Sequence, residues 1–333
     1  MNPSDQGLPQ DLEFRAAIRA GLGRHPRRIP CRFLYDRHGS ALFEQICGLD
    51  EYYPTRTEHS LLRRHAQDLR RWIGPCPRIL EFGGCTPGKA RYLFDALDPA
   101  AYLPVDICSE ALAGSMALLG REYPGLAVHP IHADFTRPIP VPEGEGPLLG
   151  FFPGSTIGNM RPAGAVAFLR RVRRILGKSG AMLVGVDLKK DPALLHAAYN
   201  DSRGITAAFI LNLIGRINRE LEGDFDLSGY AHCARYNASA GRMELHIVSL
   251  RDQVAHAAGM EIRFRAGDRI HAEDSHKYTV EEFQALARRA GFDAAACWRD
   301  EEDLFSIHLL TAPDEEVCPP VRTGQSVLCP KAR

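Results

Sequence analysis

A carboxylate, a pair of glycines and a lysine follow one another in residues 78–91, R-I-L-E-F-G-G-C-T-P-G-K-A-R. An apolar run ends in Glu81 and gives way to glycines under a helix N-terminus, the way a doubly wound sheet builds a nucleotide cradle. The next apolar run, 101–105, ends in Asp106, about twenty residues on, where an acid accepts hydrogen bonds from a ribose diol. The chemistry these residues fit is recognition of a nucleoside-bearing cofactor. The glycine spacing is not the G-x-G-x-x-G of dinucleotide enzymes.

The elements that must position this turn are legible as an alternation. Strands are expected at 78–82, 101–105, 126–131, 148–152 and 181–187, with helices near 88–97, 109–122 and 162–176 between them. That period argues for a parallel sheet with helices on both faces. Upstream, helices are expected at 12–20 behind Asp11, at 40–47, and at 57–72 behind Thr55 or Thr57. Downstream, helices at 191–199 and 206–221 precede strands 231–237 and 242–250, joined by the turn A-S-A-G, and a strand at 261–265. The α/β pattern resumes with a helix at 280–290 and strands at 294–299 and 305–310. A cofactor domain interrupted by an insertion is the expected plan. Residues 314–333, rich in proline and charge, are expected to be a disordered tail.

Composition narrows the partner. The 41 basic residues balance 41 acidic ones, so no overall field draws nucleic acid or an anionic membrane. No apolar run reaches the roughly 18 to 20 residues that span a bilayer. The arginines of 170–174 fall at helical spacing among apolar residues and are expected to form a solvated helix face. Nine cysteines are scattered without a C-x-x-C pair, and the first residues show no signal segment. A cytoplasmic protein with reduced thiols and no metal site is the expectation. The sequence sets no oligomeric state.

Several separated strings together resemble one family, the histidine Nα-methyltransferases of ergothioneine biosynthesis: F-L-Y-D-R-H-G-S, E-Y-Y-P-T-R-T-E, G-S-T-I-G-N, V-D-L-K-K-D, A-A-Y-N-D and A-E-D-S-H-K-Y. The similarity covers the chain from about 30 to 311. It implies three successive methylations of free L-histidine to hercynine, with S-adenosylmethionine (SAM) as methyl donor. It also implies a Rossmann-like class I SAM-dependent methyltransferase sheet with an α+β substrate-binding lobe formed by the N-terminal segment and the insertion. On that plan residues 1–56 and 191–279 form the substrate-binding lobe, and 57–190 with 280–313 the SAM domain.

By motif position the resemblance places Asn159 and Tyr199 on the substrate carboxylate, and Tyr35 beside the reacting amine. Tyr52, Glu273 and Ser275 fall where the imidazole binds. An amide and a phenol can donate to a carboxylate, and a carboxylate can accept a ring N–H. For SAM the resemblance implies Gly83, Lys89 and Asp106 along the methionine and sugar, with Asp134 and Phe135 at the base. Taken singly, a tyrosine at an element end is usually a core residue with its hydroxyl in water; the joint match is what carries these assignments.

Three residues depart from the family pattern. Cys85 stands where the glycine turn usually has a second glycine, Ile210 where a polar Asn is common, and Leu245 where a methionine lines the pocket. Two other readings compete: a methyltransferase of another aromatic amino acid such as tryptophan, and a SAM-binding protein without turnover. Cys85→Gly is expected to keep the fold and bind SAM at least as well as the parent. Weakened SAM binding in calorimetry would mean that the turn has been rebuilt around the thiol.

Overall fold

Apolar runs of strand length alternate with amphipathic stretches, and the chain folds along that alternation. The structure, a computed structural model, describes residues 10–312 except 75, 85 and 86, so Cys85 and the 314–333 tail lie outside the described residues. The N-terminal part holds α1 (Gln10–Leu22), the short strand β1 (Arg27–Arg28), α2 (Arg37–Cys47), α3 (Tyr53–His65) and α4 (Arg70–Ile73). Asp36 caps α2 by accepting from the Gly39 amide, 2.7 Å away, which starts the helix ahead of the expected residue 40. α3 begins at Tyr53 with Pro54 in its first turn and no capping side chain, so neither Thr55 nor Thr57 is the cap. A 3₁₀ stretch, Ala66–Leu69, breaks the single helix expected to reach 72.

The alternating region supplies β2 (Arg78–Phe82), α5 (Ala90–Leu97), β3 (Ala101–Asp106), α6 (Ser109–Glu122), β4 (Ala127–Val128), β5 (Ile131–His132), β6 (Leu148–Phe152), α7 (Pro162–Leu176) and β7 (Ala181–Asp187). The strand expected at 126–131 is two fragments, because Pro130 has no N–H to give the ladder. There follow α8 (Pro192–Tyr199), α9 (Ile205–Glu220), β8 (Tyr230–Asn237), β9 (Arg242–Ser249), β10 (Gln253–Ala257), β11 (Met260–Phe264), β12 (Arg269–His276), α10 (Val280–Arg289), β13 (Asp293–Arg299) and β14 (Phe305–Thr311).

The main sheet runs β13-β14-β7-β6-β2-β3-β4, with β5 also beside β3. The pairs from β7 through β4 and β5 are parallel. The expected all-parallel sheet needs correction at one edge, where β13 and β14 form a hairpin and β14 pairs antiparallel with β7. Each face of the sheet carries its own apolar core, one with Phe82, Phe152 and Phe168, the other with Ile79, Phe94 and Leu183. The Rossmann-like expectation stands. The arginines of α7 are less free than a solvated face implies: Arg170 and Arg173 donate to the carbonyls of Arg289 and Gly291.

A second sheet, β1-β12-β9-β8, packs against α1, α2 and α9 around a third core. Its strand β12 was not expected from the sequence, because it buries polar residues. Asp274, at its centre, accepts from Arg28, Arg242 and His271 at 3.1, 3.1 and 2.7 Å and so ties β1, β9 and β12 together. Among the described residues no helix is long and apolar enough to cross a membrane.

Burial alone would raise the Asp274 pKa, but the hydrogen bond and charge of His271 with the charges of Arg242 and Arg28 lower it to about 2. A depressed folded-state value adds stability that is present above the ordinary carboxylate range and is lost as pH falls from about 4 toward about 2. Asp274→Asn is expected to lower stability at neutral pH by about 2 kcal/mol, since the carboxylate is buried among its three partners. It should also flatten the loss of stability over that acid window. Urea unfolding at pH 7 and across the acid range checks both.

Candidate active site

The glycine turn after β2 is built by close approach. Gly83 has φ +87°, and the amides of Gly83 and Gly84 both reach the Val105 carbonyl, at 2.8 and 3.2 Å. A Cβ on Gly84 would sit 2.6 Å from Pro104 Cβ, so only glycine lets the turn lie on β3. No described side chain lies within 4 Å of where a Gly83 Cβ would stand, which leaves an open cradle above the turn. Asp106 ends β3, buried, and one of its oxygens accepts the Cys108 amide at the start of α6. Asp134 accepts from Thr136 through Oδ1, whereas its Oδ2 makes no hydrogen bond and is held only by long ion pairs to Arg32 and Arg137, at 3.8 and 3.7 Å. Half-buried Phe135 beside it packs edge-on against Phe82 and Phe152. A carboxylate oxygen with hydrogen-bonding capacity left over, beside an aromatic ring, and an acid at the end of the neighbouring strand β3 fit the amine, ring and ribose of an adenosine.

Lys89, at the start of α5, is paired with Glu58 at 2.6 Å. Both Glu58 oxygens also accept the Gly154 amide, at 3.0 and 2.9 Å. Gly185 makes room for this carboxylate, since a Cβ there would meet Glu58 Oε1 at 2.1 Å. Glu58 therefore joins α3, the cofactor turn and the G-S-T loop. It was missed as a site residue, although it closes the E-Y-Y-P-T-R-T-E string.

The six substrate-side residues, Tyr35, Tyr52, Asn159, Tyr199, Glu273 and Ser275, line a single pocket. Tyr35 follows a 3₁₀ turn at the mouth of α2, Tyr52 precedes α3, Tyr199 ends α8, and Glu273 and Ser275 lie on β12. Asn159 is carried by the 3₁₀ turn Thr156–Asn159, which approaches β12 at Gly158; a Cβ there would fall 2.7 Å from the His276 carbonyl. Asn159 donates to Glu273 Oε1 at 2.8 Å. Tyr199 and Ser275 share a hydrogen bond of 2.8 Å. Phe43 and Phe209 complete an aromatic wall with Tyr35 and Tyr52. Leu245 lines the pocket, whereas Ile210 is buried in the core outside it.

Beneath the pocket lies a buried ionic cluster that sequence reasoning did not assign. Asp187, at the end of β7, receives Tyr53 Oη at 2.8 Å, Lys277 at 2.5 Å and the close ammonium of Lys190. Lys277 also donates to Tyr199 Oη at 2.8 Å and Ser275 Oγ at 2.7 Å. The Asp187 amide donates to Ser155 Oγ, whose backbone sits at φ +58° in a turn that Gly154 opens. The signal lay in the quoted strings, since Tyr53, Asp187, Lys190 and Lys277 all belong to them. Single lysines and a tyrosine next to an assigned tyrosine gave no cue to their meeting.

Electrostatically the pocket is nearly free of negative charge. Burial is the largest influence on Glu273 and lifts it to about 8, against the pull of Lys277. Burial likewise holds the phenols of Tyr35, Tyr52 and Tyr199 above their usual range. Cys31, nearby, is raised to about 12 and Cys47 is raised as well, so neither thiol is a ready nucleophile. No group of three or more His, Cys, Asp or Glu among the described residues is placed to hold a metal ion. The arrangement can bind and orient a small zwitterion against a nucleoside, and it contains no strong base. Asp106→Ala is expected to weaken SAM by about 1 to 3 kcal/mol, the cost of stranding paired hydroxyls. Calorimetry checks this, and unchanged affinity would show that the ribose is held elsewhere.

Over residues 14–312 the chain matches the family of histidine-specific, SAM-dependent methyltransferases. It is 36% identical over 302 residues to the histidine N-alpha-methyltransferase of Mycolicibacterium smegmatis, covering 89% of this chain and 94% of that protein. It is 32% identical to the ergothioneine biosynthesis protein 1 of Neurospora crassa, over 86% of this chain and 33% of that longer protein. An L-tryptophan methyltransferase of Psilocybe serbica is 25% identical, over 93% of this chain and 96% of that one. With the family match spanning nearly all described residues, the chain belongs to the histidine-specific, SAM-dependent methyltransferases.

Proposed function

We propose that this chain methylates the α-amino nitrogen of free L-histidine three times, giving hercynine, the first step of ergothioneine formation. The observation that carries the reading is the pairing of a buried, largely neutral Glu273 with Asn159 in an aromatic pocket. A carboxyl held this way can meet a ring nitrogen of either polarity: it donates when protonated and accepts when ionised. The lobes are proposed as 1–56 with 191–279 for substrate and 57–190 with 280–313 for SAM. We place the reaction in the cytoplasm, without a metal.

Bound SAM supplies an activated methyl group on a sulfonium. Gly83, Lys89, Asp106, Asp134 and Phe135 are proposed to hold it along the ends of β2, β3 and β5. Asn159 and Tyr199 fix the amino acid by its carboxylate, while Tyr52, Glu273 and Ser275 face the imidazole. Alignment of the two reactants is then the main catalytic work, worth several kcal/mol, as the amine lone pair forms the N–C bond and the S–C bond electrons return to sulfur. The amine must first lose its proton to water, and Tyr35 orients the resulting lone pair. With its pKa raised by burial, Tyr35 acts as a neutral phenol and not as a phenolate base. As methyl groups accumulate, the aromatic wall attracts the growing cation through the ring faces.

Incubating the purified protein with SAM and each free amino acid, and following mass steps of one, two and three methyls, tests the function. Histidine alone should reach three. Tight SAM binding without methyl transfer to any amino acid would select a non-catalytic role. The tryptophan reading meets an obstacle in Glu273, which an indole with its one donor leaves poorly matched. Glu273→Leu is expected to lower histidine turnover and raise tryptophan turnover. A site built around a hydrogen bond rejects an unmatched analogue by up to about 10⁴, against about 10- to 200-fold for apolar contacts. Full preference for histidine in Glu273→Leu would make Glu273 a structural residue.

A further inference from the structure

We propose that Lys277 is a positioning residue for the substrate's carboxylate, acting through Tyr199 and Ser275 so that these two hydroxyls present one hydrogen to the pocket. The inference rests on the amino-acid methyltransferase reading and adds to it the residue that sets the polarity of the acid-binding end.

Proton counting carries the argument. A lysine ammonium has three donors and no acceptor. Lys277 spends all three, on Asp187 Oδ2, Tyr199 Oη and Ser275 Oγ, at 2.5, 2.8 and 2.7 Å. Both hydroxyl oxygens therefore accept from it, and neither can turn its own hydrogen toward the ammonium. They stand 2.8 Å apart, so one donates to the other; with Ser275 as the donor it keeps a lone pair for the imidazole it faces, and the phenol hydrogen of Tyr199 is the one left over. The hydrogen of the second has no other protein acceptor among the described residues, and both residues line the pocket. A hydrogen so placed, with a cation one bond behind it, matches a carboxylate oxygen. It does not match a carboxamide N–H, which needs an acceptor.

A purely structural lysine would not need this arrangement. The Lys277 side chain is fully buried, and removing an ammonium from water costs several kcal/mol unless charge and hydrogen bonds compensate. Asp187 already has the ammonium of Lys190 and the hydroxyl of Tyr53. Two ammoniums thus share one carboxylate, and Glu273 on the same strand is largely neutral. The local excess is positive and lies on the Tyr199 side of Asp187, where an anion completes it.

The test compares L-histidine with histidine amide in the full chain, using calorimetric affinities and steady-state KM and kcat, with S-adenosylhomocysteine binding as the control for folding. Lys277→Met is expected to weaken histidine about 10- to 100-fold, the loss of one charge-assisted interaction. It should leave the amide within about threefold, so that discrimination between the two collapses, with the change in KM exceeding that in kcat. Lys277→Gln, which keeps hydrogen bonds without the charge, should fall between. Equal weakening of acid and amide, or full discrimination retained, would overturn the proposal. If neither Lys277 variant folds, Tyr199→Phe with Ser275→Ala removes the relay while keeping the lysine, and unchanged discrimination there would overturn it as well. A wild-type protein that methylates no amino acid would instead sink the underlying functional reading.

Discussion

Asp187 is the constraint on which the site depends. It ends the parallel strand β7, and its buried carboxylate gathers Tyr53 from α3, Lys190 from the following loop and Lys277 from the end of β12. Through that one side chain the main sheet, the N-terminal helices and the second sheet meet at a fixed point. A lone charge there would be prohibitively costly, so each partner is obliged to be present with good geometry. The Asp187 amide also fixes Ser155, which holds the left-handed turn from which Asn159 projects. Glu58 repeats the device, clamping Lys89 and Gly154. Two buried carboxylates thus set the relative positions of the proposed cofactor and substrate groups.

Much of this fold was legible because its main sheet obeys a simple rule: apolar strand, turn, amphipathic helix. Strands 78–82, 148–152 and 181–187 match the observed bounds, and Gly83 and Asp106 stand where the turn chemistry put them. The rule fails where a strand buries polar groups. Ala272 to His276 are all buried, yet A-E-D-S-H reads as a loop, since its Glu, Asp and Ser are satisfied by partners such as Asn159, Arg28, Arg242 and Tyr199 from other elements. The same failure hid the site's supports: Lys277, Asp187 and Glu58 have meaning only through residues distant in sequence. Periodicity measures contact with an apolar core, and it carries no information on which buried polar groups will pair.

Helix boundaries failed for a different reason. Thr55 and Thr57 are good caps by residue type, but Tyr53 anchored on Asp187 and Pro54 at the first turn start α3 earlier. Tertiary anchoring outweighed local propensity. The antiparallel β13–β14 hairpin was likewise invisible to alternation, which records that strands occur and not which way they run. Candidate site residues were found by joint spacing of strings, and the structure brings the six substrate-side positions into one pocket; which atom each touches is a matter of the proposed function.

The charge balance of the pocket bears on how one site can take an amine through successive methylations. The proposed substrate reacts as a neutral amine and ends as a permanent cation, so a pocket lined by ionised carboxylates would hold the product too tightly to release it. Here Glu273 is raised to about 8 by burial and sits against Asn159, and the ionised carboxylate Asp187 is screened by two lysines. The pocket end proposed for the amine is lined by ring surface from Tyr35, Phe43, Tyr52 and Phe209. Ring faces attract a cation by about 0.5 to 2 kcal/mol, enough to steady each intermediate and small enough to let the last one leave. The attraction to the amino acid is concentrated instead at its carboxylate, which is the same in substrate, intermediates and product. A site that holds the unchanging end firmly and the changing end weakly can serve every step with one geometry.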